Sequence, residues 1–136
     1  MSTDDIIAIQ QLLARANTAV DAGDGAAYAA CFTADGVLDA GEAGRFSGTE
    51  EIAAAGGSFA TAIPGLRHWV NNHAIDVDGD RATATVYVVV VLAGAPPTLS
   101  GSGIYRDHMV RTDHGWLFES RMPVMEIESS PLSIPT

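Results

Sequence analysis

A chain of 136 residues, 47% of them hydrophobic, fits one domain and can bury a core without disulfides or metal; it is too apolar to be disordered. It carries 17 acidic residues against seven arginines and no lysine, for a net charge of −10. No phosphate-neutralising patch can be built from that balance, which excludes nucleic acid and anionic membrane as partners.

The lack of lysine removes Schiff-base catalysis, and a single cysteine, Cys31, excludes an internal disulfide and a thiolate zinc cluster. Cys31 falls between Tyr28 and Phe32 in a helical pattern and reads as a small buried hydrophobe. No apolar run approaches the roughly 18 residues that span a bilayer, and the acidic start lacks a basic leader. The expectation is a cytoplasmic protein.

Ser2 or Thr3 caps a first helix, with Asp4 and Asp5 in its positive first turn. Ile6, Ile9, Leu13, Ala16 and Val20 then recur at spacings that form one core-facing stripe. Gly23 ends this helix, and Asp24 caps a second, short one running through Tyr28, Cys31 and Phe32. Val37 and Leu38 suggest a short strand, followed by a turn-rich connection from Gly41 to Gly48. Thr49 caps a third helix with Glu50 and Glu51 in its first turn, and Pro64-Gly65 stops it.

The second half reads as strands. Leu66 to Val77 and Arg81 to Ala93 flank the turn Asp78-Gly79-Asp80. Ala95-Pro96-Pro97 breaks the chain, Leu99 to Thr112 resumes the β pattern, and Asp113-His114-Gly115 turns it into Trp116 to Ile127. An irregular tail is expected from about residue 129. With no repeat and no linker, residues 1–136 make one α+β domain, its helices packed on one face of a curved antiparallel sheet.

Two residues stand out as chemistry. Asp21 ends the first helix, where an acid faces the negative end of the helix dipole at a cost of about 0.3–1 kcal/mol; read alone, it is either an exposed acid or a functional one. His68 and His73 share one strand, but strand parity alone does not decide which points inward. The histidines lack H-E-x-x-H or comparable metal spacing, no G-x-S-x-G elbow marks a serine nucleophile, and no phosphate loop occurs. No metal or cofactor is expected.

The segments Ala19-Val20-Asp21-Ala22-Gly23-Asp24, Tyr28 to Val37, Gly44 to Gly48 with Ile52, His68-x-x-x-Asn72, and Asp113-His114-Gly115-Trp116-Leu117-Phe118 together carry a resemblance. Across roughly residues 4 to 126 the chain resembles the SnoaL-like branch of the nuclear transport factor 2-like superfamily. The resemblance implies a cone-shaped cystatin-like α+β barrel: three helices wrapped by a bent sheet around an apolar pocket, commonly paired into dimers or trimers through that sheet. Within the superfamily the chain looks most like the scytalone dehydratase, bile acid 7α-dehydratase and hexachlorocyclohexane dehydrochlorinase group, which uses an Asp–His dyad. Asp21 and His68 match those positions, and His68-x-x-x-Asn72 favours His68 over His73 as the base.

Two departures accompany the match. Ala16 stands where several of these enzymes place a tyrosine or lysine, and Ser100 or Ser102 where scytalone dehydratase has a second histidine. Tyr87, Tyr105, His108 or a water is left to protonate a leaving group. A steroid isomerase pattern would need its acid at Ala40, one residue beyond Asp39.

The resemblance thus implies a small cofactor-independent lyase or isomerase that abstracts a proton from an apolar, cyclic substrate. Asp21 and His68 are expected to be catalytic, with Asn72, Trp69, Tyr87 and Tyr105 binding substrate, in a homodimer or homotrimer. The alternative is a non-catalytic small-molecule-binding or assembly module of the same fold.

Overall fold

The computed structural model describes residues 3–126; the expected tail and Ile127 lie outside them. Helix α1 (Thr3–Ala22) buries Ile9, Leu12, Leu13, Ala16, Ala19 and Val20 along one face. Each fully buried Leu or Ile contributes about 1.5–3 kcal/mol. Gly23, at φ 71°, ends α1 in the left-handed conformation that glycine adopts without strain. Asp24 then caps α2 (Gly25–Ala29) by accepting from the Ala27 N–H at 3.0 Å.

The second helix is shorter than its pattern suggests, because Phe32 leaves it to open strand β1 (Phe32–Asp39). There its ring packs 5.2 Å from that of Phe118. Cys31 is buried as expected, its Sγ against the Ala27 carbonyl, and burial pushes the thiol pKa up. The turn-rich connection holds a 3₁₀ turn (Gly41–Ala43) and a short strand β2 (Arg45–Ser47) that pairs back onto β1.

Helix α3 (Gly48–Ala62) begins one residue before Thr49; the Glu51 carboxylate reaches back to accept from the Ser47 N–H. Its close approach to α2 demands small residues, since a Cβ at Gly56 would sit 2.5 Å from the Tyr28 ring.

Strands β3 (Leu66–Asp78), β4 (Arg81–Leu92), β5 (Thr98–Thr112) and β6 (Gly115–Glu126) follow as an antiparallel meander, close to the expected bounds. The six strands order as β2-β1-β6-β5-β4-β3, an unclosed sheet. It is mixed rather than purely antiparallel: β1 lies parallel to β6. That pairing joins the first strand to the last, a non-local contact that no hairpin turn announces.

The inner face, toward the helices, carries Ala82, Ala84, Val86, Val88 and Val90 of β4 with Tyr105 and Met109 of β5. Among the described residues no helix is long and apolar enough to cross a membrane.

The start of α1 is fixed to the far hairpin. Asp5 accepts from both Arg111 terminal nitrogens, at 2.8 and 3.0 Å, and from Trp116 Nε1 at 3.1 Å. The Arg111 and Trp116 hydrogen bonds hold the Asp5 carboxyl below its ordinary pKa of 3.8. A depressed acid adds stability above its unfolded pKa, and that stability is lost as pH falls through the folded value. Asp5→Asn is therefore expected to lower stability to urea at pH 7, with the difference from the parent protein fading below about pH 4. Denaturation curves at both pH values measure it.

Candidate active site

The last turn of α1 points Asp21 at the third residue of β3. Asp21 Oδ1 lies 2.6 Å from His68 Nδ1, and the same carboxylate accepts from the His68 backbone N–H at 3.1 and 3.2 Å. Both side chains are mostly covered, 13% and 16% exposed. One acid thus caps the start of a strand and holds its imidazole. Charge-assisted hydrogen bonds of this kind contribute about 1.5–3 kcal/mol, which outweighs the dipole cost of about 0.3–1 kcal/mol at a helix C-terminus. A carboxylate only accepts, so the Nδ1 proton faces Asp21 and Nε2 presents its lone pair away from it.

A bulge resolves the parity of the two histidines. Register shifts between Asn71 and Ala74, where Asn72 takes φ 52°. His68 and Val70 precede the slip and His73, Ile75 and Val77 follow it, all on the partly buried side. Both histidines therefore face the helices, but only His68 meets Asp21.

The expected substrate-binding residues separate. Tyr105 lies inside, 5% exposed, on the same inner face as His68, and burial pushes its phenol pKa up. Trp69 and Tyr87 lie on the opposite face of the sheet, 57% and 48% exposed, because they alternate with His68 and with Val86 and Val88. They do not share a face with His68. Asn72 is exposed at the bulge. His108 is also exposed and alternates with buried Asp107 and Met109, which leaves Tyr105 as the inner-facing group of those expected to supply a proton.

Sequence reasoning passed over a buried polar network beside the dyad. Arg121, 1% exposed, donates from Nε and Nη2 to Asp107 at 3.0 and 3.3 Å, and from Nη1 to Asn17 Oδ1 at 3.1 Å. Its guanidinium stacks 4.0 Å from the Tyr105 ring centroid and 4.6 Å from that of Phe118. Burial pushes the Asp107 carboxyl pKa up, with Arg121 pulling the other way. Asp107 was legible as an acid on the inner parity of β5, between Tyr105 and Met109. Arg121 was not: a bulge in β6 near Glu119 brings it to the same side as Phe118, three residues earlier.

Removing one partner strands a buried charge, which costs about 3–5 kcal/mol, whereas an apolar pair of similar volume is close to neutral. Asp107→Ala is expected to lose about that much in chemical denaturation. The double variant Asp107→Leu with Arg121→Met is expected to recover most of it.

The comparisons agree with this architecture. A cystatin-like-fold protein of unknown function from Nostoc punctiforme is 27% identical, covering 97% of this chain and 98% of that one, with TM-score 0.86. An NTF2-like protein with a cystatin-like fold from Novosphingobium aromaticivorans is 26% identical over 93% of this chain and 85% of that one, with TM-score 0.83. A second protein from that organism, provisionally called a scytalone dehydratase, shares the fold at 21% identity, over 93% and 89% of the two chains, with TM-score 0.78. No curated protein matches. The SnoaL-like domain profile matches residues 1–122, and the chain belongs to that family.

Proposed function

We propose that this protein is a small cofactor-independent lyase or isomerase of the dehydratase type, with Asp21 and His68 as its proton-transfer pair. The observation that supports this reading is the 2.6 Å contact between them, made from two elements 47 residues apart in sequence. Asp21 fixes the ring tautomer and stabilises the imidazolium. His68 Nε2 takes a proton from a carbon next to a carbonyl or a leaving group, and the C–H electron pair moves into a new C=C bond. In an isomerisation the imidazolium returns the proton elsewhere on the substrate. In a dehydration the C–O bond breaks and the departing oxygen takes the proton to leave as water, so one histidine serves both steps. The substrate is an apolar ring compound, in keeping with the aliphatic Val70 and Val90 that flank His68 on its face of the sheet.

The test is deuterium exchange into 2-tetralone, a fused-ring ketone with acidic carbon-bound hydrogens, followed by NMR in D₂O. Exchange above the buffer rate is expected, and Asp21→Asn and His68→Ala should each reduce it by about 10²–10⁴-fold. Undiminished exchange in either variant removes the dyad.

A second reading, a binding or assembly module without chemistry, is favoured by the fully buried Ala16 where related enzymes carry a tyrosine or lysine. In both readings the outer sheet face is the assembly surface. Trp69, Tyr87, Met122 and Val124 are exposed there, on three strands (β3, β4 and β6) linked through β5 by the pairings Asn71–Tyr87–Ile104–Val124 and Arg106–Met122. Self-association through this face into a dimer or trimer is expected in sedimentation, and Tyr87→Glu should yield monomer.

A further inference from the structure

We propose that Asn17 recognises an oxygen on the substrate, its side-chain amide donating to a carbonyl or hydroxyl held in front of the dyad. This rests on the reading of the inner face beside Asp21 and His68 as the substrate site. Asn17 is 5% exposed, and its carbonyl oxygen accepts from Arg121 Nη1 at 3.1 Å. A guanidinium has donors only, so this contact fixes which end of the amide faces Arg121. The other end, Nδ2, is buried and has no hydrogen-bond acceptor among the described residues. Unpaired buried donors are rare and destabilising.

Asn17 lies about one turn before Asp21 on the same side of α1, about 6 Å along the helix axis. A ring compound that offers a carbon to His68 can place an oxygen on that amide. Arg121 itself is closed to a ligand: Asp107 takes Nε and Nη2, and the Tyr105 and Phe118 rings lie against the guanidinium. It acts through Asn17 instead, polarising the amide and strengthening its remaining donor. As a proton leaves carbon and charge moves onto the oxygen, that donor meets growing negative charge. Asp107 balances Arg121 and Asp21 adds an acid nearby, so the site selects a neutral ketone or alcohol over a carboxylate.

Titration calorimetry with 2-tetralone and with tetralin, the same rings without the oxygen, tests this. The parent protein is expected to bind 2-tetralone about tenfold more tightly. Asn17→Asp keeps an oxygen for Arg121 but loses the donor; it should bind the two probes alike. His68→Ala should retain the preference, so failure of the dyad in deuterium exchange leaves this result standing. Equal binding of both probes by the parent protein, binding of neither, or a preference that survives Asn17→Asp overturns the assignment. Should Asn17→Asp not fold, the Asn17 side-chain amide signals of the parent protein decide. They must shift with 2-tetralone and not with tetralin, and a shift common to both probes overturns the assignment.

Discussion

Helix α1 is held at each end by an acid that reaches across to the sheet, and the site depends on that double attachment. Asp5 locks the first turn to Arg111 and Trp116 on the β5–β6 hairpin, while Asp21 locks the last turn to His68 on β3. Twenty residues of helix span about 30 Å, so the two anchors fix both tilt and rotation. Once rotation is fixed, the buried stripe, Asn17 and Asp21 all take their directions from the same constraint. The dyad is therefore a property of how a whole helix docks.

The interior mixes two kinds of stabilisation. Aliphatic burial along β4 and α1 supplies most of the favourable free energy, as in any small domain. The Arg121–Asp107–Asn17 network contributes little net stability for its desolvation, because apolar replacements of similar size would serve as well. Its presence beside a histidine–carboxylate pair accords with the proton transfer proposed above. Burial raises the Tyr28 and Tyr105 phenols, so the aromatic groups near Arg121 stay neutral and leave Asp107 as its counter-charge.

Much of this was readable in the residues. Helix periodicity, the Asp24 cap, Gly23 and the Gly79 and Gly115 turns located most elements within a residue or two, and Asp21 and His68 followed from the family resemblance. What escaped depends on long-range geometry. The parallel β1–β6 pairing joins segments that are about 80 residues apart and carries no local signal. The bulges in β3 and β6 each reverse the alternation on which strand reading relies, so nothing in the local pattern marks Arg121 as buried. Trp69 and Tyr87 were expected at the ligand because aromatic residues often line pockets, yet parity with His68 places them behind it.

The slip at Asn72 and His73 has a second effect. Strand β3 is an outermost strand, and one of its two margins has no strand neighbour among the described residues. A straight, regular margin of that kind is a template on which strands of other molecules stack toward fibrils. With no lysine in the chain to guard it, the kink itself interrupts the run of free amides and carbonyls midway along the strand. The irregularity that turns two histidines inward thus also protects the protein from aggregation along its most vulnerable border.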